Sequence, residues 1–279
     1  MVIASDYSGQ HKGATHEAYS FLVTVDNALE AWLPLLDGFR RSWLPDNRRI
    51  SFKKLNEPVR WRALPSFLDV TSKLRANVIT ILVDRRIGSF VAGGPDAIRR
   101  SLPDCFPEES SPGTVEKMLR LASLLALILS GLRRESQVSR WISDHDEALD
   151  TNAKREQFAR LATYINVGLT GWRQAADNWF GTTEAHDLPV WAEDLAAVPD
   201  LVAGAYCQLS PHLPTILGKE TWRILASADN VNDRRVVAVA NWLAGGKQAM
   251  KHVLLRLEQD DRGEVRSSAQ AFLTAVRSR

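Results

Sequence analysis

The sequence predicts an α/β protein, a mixed sheet flanked by helices and followed by an all-helical C-terminal extension. Three observations lead there. β-Branched runs with strand composition stand at Val2–Ala4, Ser20–Asp26 and Asn77–Asp84. Between them, apolar residues recur at steps of three and four, as in Leu29, Trp32, Leu33, Leu36, Phe39 and Trp43. Beyond Pro211 only helical patterns are legible, around Thr221–Ala228, Arg234–Ala244, Gln248–Glu258 and Glu264–Arg279. This divides the chain into a core over residues 1–210 and an extension over 211–279.

In order, Val2–Ala4 is a buried strand ending in the polar turn Ser5-Asp6-Tyr7-Ser8-Gly9, with Ser20–Asp26 as its hairpin partner. The Asn27–Trp43 stripe is an amphipathic helix stopped by Pro45-Asp46-Asn47. Arg48–Lys53 alternates like an edge strand, Val59–Leu74 is helical, and Asn77–Asp84 is the central strand. Gly88–Gly113 is a long connection with one short helix at Asp96–Leu102, and Thr114–Arg134 is a long helix. Val138–Asp144 is a strand, Asn152–Trp172 a helix, Leu188–Glu193 a short final strand and Leu195–Leu209 a helix.

Composition excludes several classes. Hydrophobic residues at 45% and charged residues at 24% are ordinary globular usage, so the chain is expected to fold. The most apolar stretch, Leu121–Leu132, falls well short of the ~20 residues of a membrane span. No basic segment leads into an apolar leader, so a cytoplasmic protein is expected. Cys105 and Cys207 lack metal-ligand spacing and read as reduced thiols. P-loop, GxSxG, HExxH and GxGxxG motifs are absent, since Gly245-Gly246-Lys247-Gln248 has neither the spacing nor the hydroxyl of a P-loop.

Charge is distributed unevenly. From Arg40 to Arg62, eight basic residues face only Asp46 and Glu57, whereas Gln174–Gly218 holds six acids and no lysine or arginine. The first segment could neutralise phosphates and the second could supply metal ligands, or both could be solvated faces. Within the basic strip, Arg48, Arg49, Lys53 and Lys54 are the candidate phosphate contacts.

Three aspartates, Asp6, Asp144 and Asp200, stand at strand ends or a helix start. Neighbouring parallel strands bring their C-terminal side chains together, so these carboxylates could converge and hold Mg2+ or Mn2+ for phosphodiester cleavage. Each is equally a candidate turn former or helix cap. Asp84, ending its strand, is a fourth candidate ligand or the partner of Arg85 or Arg86. His145, Asp146 and Glu147 are accessory candidates beside Asp144, with His145 as proton shuttle or solvated turn residue. Trp172 and Trp179 would stack on bases or fill the core.

Four stretches resemble the domain-of-unknown-function 3800 family. Ser5-Asp6-Tyr7-Ser8-Gly9 is similar to its opening aspartate-acid-serine-glycine strand end, with Tyr7 in place of the acidic neighbour. Ile50-Ser51-Phe52-Lys53 resembles its hydrophobic-glutamate-hydrophobic-lysine segment, with Ser51 where the glutamate is expected. Trp141–Glu147 resembles its internal strand and acidic cluster, and Ala196–Ala205, containing Asp200 and Gly204, its closing helix. The resemblance covers residues 1–210. It implies a ribonuclease-H-like fold and a metal-dependent nuclease acting on RNA or DNA, with Asp6, Asp144 and Asp200 as catalytic metal ligands, and suggests an effector of bacterial defence. The missing acid at Ser51 supports an alternative, a catalytically inactive module that binds nucleic acid or a protein. The C-terminal helices would recruit that protein or a second copy. No membrane partner is expected.

Overall fold

The computed structural model describes residues 1–106, 110–134, 137–144, 146, 148–171, 178–183, 188–213, 233–245 and 249–271. Among them the protein is a mixed α/β fold with a seven-stranded mixed sheet. The strands are β1 (Val2–Ser8), β2 (His16–Thr24), β3 (Asn77–Asp84), β4 (Ser139–Ser143), β5 (Asn178–Thr182), β6 (Lys251–Gln259) and β7 (Val265–Ala271). The helices are α1 (Asp26–Trp43), α2 (Pro58–Ser72), α3 (Gly94–Ser101), α4 (Pro112–Leu132), α5 (Asn152–Thr170), α6 (Val190–Leu209) and α7 (Arg234–Ala244). The chain forms two compact units, residues 4–87 with 189–279, and residues 1–3 with 88–188.

In the larger unit, β1 from Ala4 onward is followed across the sheet by β2, β3, β6 and β7. The β1–β2 turn depends on Gly9, at φ +95°, because a Cβ there would lie 2.3 Å from the His16 carbonyl oxygen. β2 and β3 are antiparallel from His16 opposite Asp84 to Val23 opposite Asn77. Helix α6 packs against β2 and β3. It is buried on nearly every side, as an all-round apolar helix must be. Trp32 of α1 donates its indole N–H to the Val70 carbonyl of α2 at 3.0 Å, tying those two amphipathic helices together. In the smaller unit, residues 1–3 run beside β4, with the Arg140 N–H donating to the Met1 carbonyl at 2.9 Å. β4 pairs in parallel with β5, and Trp141, Phe158 and Phe180 form an aromatic core there, with Trp141 and Phe158 stacked at 4.9 Å.

Several expectations are corrected. Residues 251–271 are not helical: β6 runs parallel to β3, Asn77 opposite Lys251 through Val83 opposite Leu257, and β7 pairs antiparallel with β6; residues 272–279 lie outside the described residues. The leucine-rich Val253–Leu257 run suits a helix by composition, but the otherwise unpaired edge of β3 offers ladder hydrogen bonds and wins. Alternate burial of His252, Leu254 and Arg256 shows the strand period. Helix α7 matches the predicted Arg234–Ala244, whereas Thr221–Ala228 lies outside the described residues.

Arg48–Ser51 is irregular and Phe52–Lys54 is a 3-10 turn, not an edge strand. Leu188–Glu193 contains the start of α6 and is not a strand: Pro189 supplies a fixed φ at the N-cap, and Ala192 joins the buried face. Asp200 therefore lies well inside α6, not at its start. The sequence does not announce β5, whose five residues carry no alternating pattern. No described helix is long and apolar enough to cross a membrane.

Candidate functional site

Asp6 and Asp200, 194 residues apart, come together in the larger unit. Asp6 is 8% exposed near the end of β1, and its Oδ1 accepts the Tyr7 N–H at 2.6 Å. Asp200 reaches the same place from α6 and shares a hydrogen bond with Asp6. One helical turn further on, Gly204 makes room for the chain that caps Asp200, since a Cβ there would lie 2.4 Å from the Phe52 ring. Phe52 can thus lie flat on α6 and donate its N–H to Asp200 Oδ2 at 2.9 Å. Ser51 adds its hydroxyl to Asp200.

Arg49 completes the cluster. Its Nη2 lies 3.9 Å from Asp6 Oδ2 and 4.0 Å from Asp200 Oδ2, with the side chain 20% exposed. Burial pushes the Asp200 carboxyl up from its ordinary value, while Arg49, the Phe52 N–H, Ser51 and Asp6 pull it back down. Two carboxyl groups in contact repel when both are ionised, so a proton or a cation must relieve them. Here the hydrogen bond between them requires a proton on one of the two, and the Arg49 guanidinium lies 3.9 and 4.0 Å from the pair.

The backbone beneath Arg49 is fixed by two buried arginines. Arg40 of α1 makes a bidentate pair with Asp194 of α6 at 2.8 and 2.5 Å, and its Nη1 donates to the Arg48 carbonyl at 3.0 Å. Arg60 of α2 donates Nε to the Arg49 carbonyl at 2.7 Å and pairs with Glu57. Arg48 itself pairs with Asp46. Half of the predicted basic strip thus serves internal contacts. Lys53 and Lys54, on the 3-10 turn, are exposed, and among the described residues neither has an ion-pair partner.

Asp144 belongs to the smaller unit, where it follows β4, is half-buried and accepts the Thr183 hydroxyl at 2.9 Å. Asp146 pairs with Lys117 and caps the Ala148 N–H at 2.8 Å, a turn role. His145, Glu147 and Trp172 lie outside the described residues. Trp179 is 43% exposed. Asp84 is buried at the end of β3 and binds Arg86 through its side chain (2.8 Å) and its backbone N–H (2.9 Å). Burial works to raise its pKa, but these contacts and the Gln259 N–H bring it below the ordinary carboxylate value. That is the ion-pairing alternative read from the sequence, with Arg86 as the partner.

Among the described residues, no three His, Cys, Asp or Glu side chains form a group that could hold a metal ion. Among the described residues of the larger unit, Asp6 and Asp200 have the Ser51 hydroxyl, the Phe52 N–H and the Arg49 guanidinium beside them. A divalent ion takes oxygen ligands, one or two carboxylates among them, and here it would compete with the Arg49 guanidinium. Arg49, a candidate phosphate contact in the sequence, lies beside the acid pair. A signal for this was present. In Arg49-Ile50-Ser51-Phe52, Ile50 and Phe52 are apolar and buried, so an extended chain directs Arg49 and Ser51 together to the other side. No protein-family model matches the chain, and no curated protein matches it in sequence.

Proposed function

We propose that this chain is a ribonuclease-H-like module that binds nucleic acid without cutting it by metal-ion catalysis, its acid pair being neutralised by a shared proton and by Arg49. One observation carries the reading: the Arg49 guanidinium lies within 4.0 Å of both Asp6 and Asp200, where a nuclease of this resemblance would hold its cation. The antiparallel β2–β3 ladder and the parallel β4–β5 pair are in keeping with a ribonuclease-H-like fold. Exposed Lys53 and Lys54 follow directly on the residues that cap Asp200 and supply the charge a phosphate backbone requires.

The test is incubation of the purified chain with single- and double-stranded RNA and DNA in EDTA, magnesium or manganese. Binding without cleavage is expected in all three, and neither metal should raise the melting temperature. Arg49→Ala should lower stability by on the order of 2 kcal/mol, because the acids can take up a proton in place of the missing cation. The same variant should gain a manganese-dependent rise in melting temperature that the parent lacks. The rival is the metal-dependent nuclease, favoured by the convergence of Asp6 and Asp200. Manganese-dependent cleavage by the parent chain, abolished in Asp6→Asn, would establish it in place of our reading. An effector role in bacterial defence rests on the resemblance alone and is compatible with either.

A further inference from the structure

The basic strip read from the sequence is half consumed internally, but the fold adds positive charge to its exposed remainder from far along the chain. Helix α7 begins at Asp233, whose carboxylate caps the Arg235 N–H at 2.9 Å and neutralises the Arg235 side chain. The Arg235 guanidinium lies over the Phe52 ring, 4.9 Å from its centroid, and its Nη1 reaches the Phe52 carbonyl at 3.5 Å. The neighbouring Arg234 is exposed and lies 4.4 Å over the indole of Trp61, in the first turn of α2. Arg234 and Arg235 therefore bridge residues 52 and 61. Exposed Lys53 and Lys54 follow directly on Phe52 in the same unit, next to the residue that Arg235 covers.

These residues offer two kinds of group with different uses. Lys53 and Lys54 are exposed point charges on a 3-10 turn anchored through Phe52 to α6. Such charges attract phosphates without regard to base. Arg234 is planar, and stacking on Trp61 orients it at low entropic cost; among the described residues it has no ion-pair partner. A guanidinium plane supported on an aromatic ring accepts a nucleobase on its outer face, provided the base is unpaired and free to leave its own stack. In a duplex the bases are already stacked and the platform has nothing to receive.

We propose that Lys53, Lys54, Trp61 and Arg234 bind single-stranded nucleic acid, the lysines on successive phosphates and the Arg234–Trp61 stack beneath one base. This rests on the nucleic-acid-binding reading above and names its surface and strandedness.

The test is fluorescence anisotropy of the full chain with a labelled single strand of about twelve nucleotides, the same sequence as a duplex, and an abasic version of the strand. The single strand should bind more tightly than the duplex by about tenfold or more, a gap that one or two base stacks account for. Lys53→Ala with Lys54→Ala should reduce the slope of log affinity against log salt by about 1.4, roughly 0.7 for each phosphate of a single strand that is no longer neutralised. Arg234→Ala should weaken the single strand by about 5- to 100-fold and leave the abasic strand almost unchanged. Arg234→Lys keeps the charge but not the plane, so it should behave like Arg234→Ala. Each variant replaces an exposed side chain, and an unchanged melting curve confirms its fold.

Equal affinity for duplex, or parent-like binding by Arg234→Lys, would overturn the base platform. Strong single-strand binding that none of the variants alters would overturn this surface while leaving the module reading intact. No binding of any nucleic acid by the parent would remove both.

Discussion

His252 of β6 is enclosed between the Tyr206 ring, stacked at 5.4 Å, and the Thr80 hydroxyl at 3.5 Å. Burial pushes its pKa from 6.5 down to about 3. The folded state keeps it neutral while the unfolded chain takes up a proton below 6.5. Its contribution is therefore full above pH 6.5 and fades as pH falls towards 3, by up to about 1.4 kcal/mol per pH unit. Asp194 has the opposite sign. Burial raises it from 3.8 to about 6 despite the pull of Arg40, so between those values the folded state holds more protons and stability rises as pH falls. The two effects offset each other between about pH 6 and 4. Replacing either should reveal the other: His252→Gln should melt higher at pH 4.5 than at pH 6.5, and Asp194→Asn should lose stability over that span more steeply than the parent. Melting curves across the range decide it, and parallel profiles for all three proteins would refute both assignments.

At the scale of elements, the packing of the 3-10 turn on α6 determines whether Asp200 is capped. Gly204 gives the Phe52 ring its place. Gly204→Ala should therefore push the turn outward at a cost of about 1–3 kcal/mol, the usual penalty for overfilling a packed site, although alanine is the better helix former. Hydrogen exchange at the Phe52 amide should accelerate in that variant, and unchanged exchange would show the turn held by other contacts. Elements with a strong period are legible in the sequence. Asn77–Asp84 is β3 to the residue, and Leu29, Trp32, Leu36 and Phe39 of the predicted stripe form the buried face of α1, while Trp43 at its end is exposed. The failures share a cause. Lys251–Gln259 and Val190–Glu193 are short apolar runs with no periodicity strong enough to discriminate strand from helix, and each is decided by what lies beside it in space. The site follows the same rule. Asp6 and Asp200 stand out by local context, but a guanidinium beside them is a property of the folded neighbourhood that propensity does not encode.

For the molecule as a whole, the C-terminal strands close the β3 side of the larger unit's sheet. Val78, Ile81, Leu82 and Val83 of β3 are almost fully buried, with β6 hydrogen-bonded along its length. A chain ending at residue 248 would bare that edge, and should sediment as aggregate where a dispensable helical tail would leave a soluble protein. A soluble truncated chain with a cooperative melt would contradict this. The larger unit is also discontinuous in sequence, with 4–87 on one side of the smaller unit's residues and 189–279 on the other. Ribosomes add residues at about 5–20 per second, so β1 to β3 leave the exit tunnel many seconds before α6 and β6 are translated. Through that interval the nascent chain carries a half-built sheet with its apolar face and its β3 edge uncovered. Its yield in the cell should depend on chaperones that hold such chains, and on how closely ribosomes follow one another along the message.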